Sequence, residues 1–244
     1  MKNFWLIGAS SGIGEALAYA LVDTGWTVAI SARNEDKLNT MSEKSTQLLP
    51  YPVDVTQAAA LKTTYLQICE EMGDIDCVMF NAGDYTPMSI EEFSPTLFTR
   101  LIEVNYIGAV NLLDVIIPDF TKRAHGQILL TASLAAYRGL PRSAPYSASK
   151  AALLSLAESL HLELKQHHVL LRVINPGFVK TPLTDKNTFE MPSLISPEDA
   201  AKAIMKELDS DNFEIRFPKG FARNMRLLSL LPYKLYFYLT KKAL

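Results

Sequence analysis

Cysteine is scarce in this chain. Its 244 residues include two, Cys69 and Cys77, too few for a disulfide-stapled fold and at no spacing that suggests a metal cage or redox pair. They are expected to be ordinary buried thiols of a reducing compartment, which points to the cytoplasm. The four histidines, His125, His161, His167 and His168, make no helical metal motif, so no metal site is expected. Long apolar runs are missing as well. No stretch reaches the ~18 apolar residues needed to cross a bilayer, and the run around Phe4–Ile7 is too short for a secretory signal. No repeat, low-complexity tract or linker interrupts residues 1–244, which are expected to form one domain. Nor is the charge one-sided: a net charge of −2 suggests no nucleic acid or other polyanion as partner.

What is present is a core. Hydrophobic residues make up 48% of the chain and charged residues 20%, which excludes a disordered polypeptide. The small net charge hides an asymmetry. Residues 219–244 hold Lys219, Arg223, Arg226, Lys234, Lys241 and Lys242 without a single acid, leaving 18 basic against 26 acidic residues elsewhere. A body of −8 therefore precedes a tail of +6.

Short apolar runs alternate with helical patterns. Phe4–Ile7, Val28–Ile30, Leu48–Val53, Cys77–Phe80, Ile128–Leu130, Leu170–Ile174 and Phe213–Phe217 predict strands. Helices are predicted near 12–24, 35–44, 57–72, 95–122, 146–167 and 197–209. Ser94-Pro95 and Ser196-Pro197 are cap-plus-proline pairs that mark two helix starts. Such alternation, with strands apolar throughout, predicts an α/β protein: a doubly wound parallel sheet covered by helices on both faces. Ligands bind such sheets beyond the carboxyl ends of the strands.

The first strand runs into Gly8-Ala9-Ser10-Ser11-Gly12-Ile13-Gly14. Gly8 permits a tight turn, Gly12 a close approach to a diphosphate, and Gly14 packing of the helix on the sheet, while the helix start favours the anion. A bare tight connection is the competing reading. The second strand ends Ser31-Ala32-Arg33-Asn34, without the acid that would repel a ribose 2′-phosphate. Arg33 can bind that phosphate with help from Ser10, which favours NADP(H) over NAD(H).

Tyr146 and Lys150 are four apart, on one helix face. A free tyrosine titrates near ~10, and a neighbouring ammonium with an oxidised nicotinamide is expected to lower it into a useful range. Ser133 ends the fifth strand and can donate to a substrate oxygen. Asn105 lies in a long helix, where it suits a local kink or a bound water.

Together these residues resemble the short-chain dehydrogenase/reductase family over almost the whole chain. Gly8, Gly12 and Gly14 match its cofactor loop, Asp54-Val55 its step near the adenine, and Asn81-Ala82-Gly83 its central turn. Asn105, Ser133, Tyr146 and Lys150 match its catalytic tetrad, Pro176-Gly177 the turn beside the nicotinamide, and Thr181 the residue reaching the carboxamide. Ile7 and Phe80 depart from it, standing where the family often has Thr and a second Asn. The resemblance implies a Rossmann fold of about seven strands and an NAD(P)-dependent oxidoreductase acting on a carbonyl or secondary alcohol. Tyr146 would be the general acid/base, Lys150 would hold the ribose, and Asn105 would help hold a water. Cofactor contacts are expected from Gly8, Ser10, Ser11, Gly12, Ile13, Gly14, Arg33, Asp54, Val55, Asn81, Ala82, Gly83, Tyr146, Lys150, Pro176, Gly177, Val179 and Thr181.

Two other readings compete. Ser147 and Lys150 fit a serine-acylase spacing, but the Ser-Asp-Asn and Lys-Thr-Gly motifs of that class are missing. A catalytically idle NADP(H)-binding regulator or scaffold is the other, against which the intact Ser/Tyr/Lys set argues. Pro182–Ile195 is expected to form a lid and Leu134–Pro141 the other wall around a substrate with an apolar body. The helices near 95–122 and 146–167 resemble those through which the family forms dimers, so a homo-oligomer is expected. The tail, broken by Pro232, is expected to pack on the body or on a partner; membrane-surface contact and partial disorder are the competing readings.

Overall fold

The computed structural model describes residues 2–241. Lys242, part of the basic tail, lies outside the described residues, as do Met1 and residues 243–244. Every apolar run read as a strand takes a place in one parallel sheet. The strands are β1 (Lys2–Ile7), β2 (Trp26–Ser31), β3 (Leu48–Pro50), β4 (Cys77–Phe80), β5 (Gln127–Thr131), β6 (Leu170–Pro176) and β7 (Glu214–Phe217). Their order is β3-β2-β1-β4-β5-β6-β7, all parallel. Progression along the sheet therefore reverses between β1 and β4, opening a crevice above their carboxyl ends.

Alternation of side chains along β1 builds two cores. Trp5 and Ile7 join Phe80, Leu112 and Phe120 on one face, beside the helices α3 (Ala58–Met72), α5 (Gly108–Arg123) and α6 (Ala144–Gln166). Phe4 and Leu6 join Leu17, Leu21, Met79 and Ile204 on the other, beside α1 (Gly12–Asp23), α2 (Glu35–Ser42) and α7 (Pro197–Glu207). Each such side chain contributes roughly 1.5–3 kcal/mol by leaving water.

Where structure and sequence reading differ, local chemistry explains it. β3 ends at Pro50 rather than Val53 because Pro50 and Pro52 lack an amide donor, although Tyr51 and Val53 still donate to Ile30 and Ala32 carbonyls at 2.9 and 3.0 Å. The single helix expected over 95–122 is α4 (Pro95–Ile102) continued by a π-helical turn, Glu103–Ile107, into α5. By length and composition Pro95–Arg123 is apolar enough to span a bilayer, which amends the expectation that no segment is. Its Leu101, Leu112, Ile116 and Phe120 are instead buried in the body, as in a core helix. α6 starts two residues early because Pro145 fits its first turn. Cys77 is buried, but Cys69 is only half-buried; both are free. Beyond β7, Pro232 divides the tail into α8 (Lys219–Ser229) and α9 (Tyr233–Thr240).

Candidate active site

Above the reversal point lies a cleft of about 510 Å³. Gly8, Ser10, Ser11, Gly12 and Ile13 line it from the turn after β1, Arg33 from the end of β2, and Asp54 and Val55 from beyond β3. Asn81, Ala82 and Gly83 follow β4, Ser133 follows β5, and Tyr146 and Lys150 project from α6. Pro176, Gly177, Val179 and Thr181 close the far end after β6. Two of the sequence-predicted residues, Gly14 and Asn105, are not on the cleft wall.

Glycine is required in the first turn for local reasons. Gly8 has φ +89°, and a Cβ there would stand 2.5 Å from the Ala82 amide nitrogen. Gly14 approaches the end of β1 so closely that a Cβ would fall 2.1 Å from the Gly8 carbonyl oxygen. Asn81 locks the same turn from just beyond β4, its Nδ2 donating to the Gly8 carbonyl at 3.1 Å. The N-cap Ser11 makes no side-chain bond to the first turn of α1, so amide donors at the helix start remain for an anion. With Arg33 at the opposite rim, this donor set fits the diphosphate and adenosine end of a dinucleotide. Asp54 is engaged locally, its Oδ1 accepting from the Thr56 amide and hydroxyl at 2.9 and 2.8 Å.

Ser133 caps a short turn, its Oγ accepting from the Ala135 amide at 3.1 Å. The hydroxyl proton is left to donate outward. Lys150 is 3% exposed, and its Nζ donates to the Thr131 carbonyl at 2.7 Å. The expected lowering of the phenol called for a neighbouring ammonium together with an oxidised nicotinamide; the protein's own groups act in the other direction. Burial pushes Tyr146 up to about 12; Ser133 pulls it down and the Tyr85 side chain pushes it further up. Burial also brings Lys150 down to about 7. Lys150 turns its ammonium toward a backbone carbonyl and is only partly charged near neutrality, which leaves burial to dominate at the phenol. Ser147, the nucleophile of the acylase reading, is buried, and its Oγ has no hydrogen-bond partner among the described residues.

Asn105 sits on the π-helical turn and is fully buried. Its Oδ1 accepts from the Asp84 amide at 2.7 Å, and its Nδ2 donates to the Asp84 carbonyl and Ser149 Oγ, both at 2.9 Å. The kink read from the sequence thus orients a side chain that clamps the segment after Gly83 behind the cleft.

Sequence reasoning missed three parts of the site. Tyr85 stands edge-on to the Tyr146 ring at 5.0 Å between centroids, and its hydroxyl donates to Asn187 Oδ1 at 2.7 Å. Asp84 pairs with Arg100 at 3.0 Å and with Lys186 at 3.3 Å. Asn175 is buried in β6, accepts from the Ser133 amide at 3.1 Å and donates to Glu214 at 2.6 Å. The only signal for Asn175 was an amide in a strand whose other residues, Arg172 apart, are apolar.

The lid is anchored at both ends: Val179 and Ile195 form a parallel bridge, and Lys180 donates to the Ile195 carbonyl at 2.9 Å. Pro182, Leu183, Thr184 and Lys186 reach the cleft. Leu134–Pro141, expected to form the opposite wall, is not among the cleft-lining residues. Leu134 abuts Gly177, Tyr137 donates to Glu214, and Arg138 donates to the Ser229 and Leu231 carbonyls, so the segment braces the tail instead.

Comparison with known proteins places the chain in a family. A family model described as short chain dehydrogenase matches residues 2–191. An uncharacterized oxidoreductase from Myxococcus xanthus is 33% identical over 233 residues, covering 94% of this chain and 92% of that one. An alcohol dehydrogenase from the archaeon Thermococcus sibiricus, solved with 5-hydroxy-NADP, has a TM-score of 0.81 at 28% identity, covering 89% and 96% of the two chains. A 3-ketoacyl-(acyl-carrier-protein) reductase from Brucella melitensis, solved with NADH, has a TM-score of 0.82 at 25% identity, covering 88% and 96%. The chain belongs to the short-chain dehydrogenase family. It is an NAD(P)-dependent oxidoreductase.

Proposed function

We propose that the enzyme reduces a carbonyl, or oxidises the matching secondary alcohol, with NADP(H), on a substrate with an apolar body. The observation that carries this is the convergence of Ser133, Tyr146 and Lys150 on one cleft with the glycine turn. The nicotinamide supplies or accepts the hydride. Ser133 donates its free hydroxyl proton to the substrate oxygen. Tyr146, held protonated at neutral pH by burial, gives that oxygen a proton in reduction and takes one in oxidation. Lys150 offers the cofactor ribose the protons that Thr131 does not take and steadies the phenolate when it forms.

Support for NADP(H) comes from the rim. Arg33 is exposed there and, among the described residues, is in no ion pair. Asn34 caps α2 by accepting from the Lys37 amide at 3.0 Å, which places Glu35 and Asp36 in the first helical turn, where the helix dipole favours them. Steady-state rates on a panel of aliphatic ketones and aldehydes with NADPH and NADH test the reading. NADPH should be preferred about tenfold or more, the worth of a charge-assisted bond, and Arg33→Asp should erase the preference. A wild type that prefers NADH would overturn it. Cofactor binding without turnover of any carbonyl or alcohol would favour the idle regulator. The outer face of α6, where Leu162 is exposed, suits the expected homo-oligomer; sedimentation at micromolar concentration should give at least a dimer.

A further inference from the structure

Half of the 14 large apolar side chains exposed among the described residues lie between Leu227 and Leu239, in α8, α9 and the turn joining them. Leu230 is 73% exposed, Tyr233 71%, Phe237 61% and Tyr238 74%. Only one narrow stripe of α9 faces inward, through Tyr236 and Thr240. Arg138 holds the hairpin to the body, its guanidinium lying 4.5 and 4.1 Å from the Tyr233 and Tyr236 ring centroids while it donates to the turn carbonyls. Lys219, Arg223, Arg226, Lys234 and Lys241 are all exposed on the same segment, and residues 219–241 contain no acid. Among the described residues none of these five cations is in an ion pair.

We propose that the α8–α9 hairpin docks on an anionic lipid surface. Aromatic rings with an apolar body suit the boundary between headgroup and acyl chain, and unpaired lysines and arginines suit the negative potential above it. A second copy of the chain fits less well: a two-fold contact would set the same cations against each other with no acid on the segment to receive them. Arg138 pins the hairpin while leaving Phe237, Tyr238 and Lys234 outward, so docking needs no unfolding of the body.

The test is co-sedimentation of the full chain with vesicles of pure phosphatidylcholine, and with vesicles in which about a third of the lipid is phosphatidylglycerol. Binding is expected to the anionic vesicles only, and to weaken with added salt. Each Lys or Arg near such a surface is worth roughly fivefold, so Lys234→Glu with Lys241→Glu should lower partitioning about 25-fold or more. Phe237→Ser with Tyr238→Ser should also release the protein, with an unchanged circular-dichroism spectrum and melting temperature as the control for folding. Equal binding to neutral vesicles, or none to either, would overturn the proposal. So would a Phe237→Ser/Tyr238→Ser variant that turns an oligomer into a monomer while wild type ignores vesicles, which would make the face a subunit contact.

Discussion

On the cofactor side of the cleft, Gly8 and Ala9 donate to the Ser31 carbonyl at 2.7 and 3.1 Å, and Asn81 donates from its backbone to Ile7 at 2.8 Å. These bonds extend the sheet by one step beyond the strands. On the substrate side, the lid meets the segment after Gly83 through side chains: Tyr85 to Asn187, and Lys186 to Asp84 and the Tyr85 carbonyl. The first side is fixed by main-chain bonds, with glycines that let the backbones meet and the Asn81 amide as a brace, whereas the second is held by longer side chains reaching across a gap. Under the proposed function, the chemistry common to the family sits where the backbone is locked, and substrate selection where single substitutions can act.

The largest expected effect tests the shared chemistry. Tyr146→Phe should lower turnover by about 10²–10⁴-fold, the usual contribution of a general acid, while fluorescence titration shows NADPH still bound. Next comes the locked backbone. Gly8→Ala forces a Cβ into the Ala82 amide at positive φ, which should cost on the order of 2–3 kcal/mol and lower the melting temperature by roughly 5–10 °C. If it is neutral, the rigid side is not rigid.

A smaller effect links the two sides through charge. Lys150, brought down to about 7, is charged below that pH and neutral above it. Cofactor affinity should therefore weaken as pH rises through about 7, approaching tenfold per unit where binding requires the ammonium. Lys150→Arg, which keeps its charge, should flatten that profile. The smallest effect belongs to the substrate side. Asn187→Ala removes one bond to Tyr85 and should raise KM about two- to tenfold, with the melting temperature unchanged. A loss of stability instead would mean that the lid supports the fold.

This contrast also explains what could be read from the chain. Strands such as Phe4–Ile7 and Cys77–Phe80 declare themselves because both faces of the sheet are covered, so every position is apolar. Asn105 was legible as a kink because a buried amide interrupts a helical core pattern. Tyr85, Asp84 and Asn187 were not, since their meeting depends on how two loops with no periodicity cross in space. The burial that raises the Tyr146 phenol was illegible for another reason: residue spacing says nothing of how a ring is packed.

The bridge between Val179 and Ile195 means that the lid begins and ends at the same place. It is a closed loop, and the entropy of closing a loop rises by only about 0.6 kcal/mol for each doubling of its length. Residues can be added to or taken from it at little cost to the sheet, whose register is set elsewhere. Under the proposed function, substrate range is therefore open to change by insertion and deletion, at positions that leave the glycine turn and the Ser133, Tyr146 and Lys150 cluster where they are.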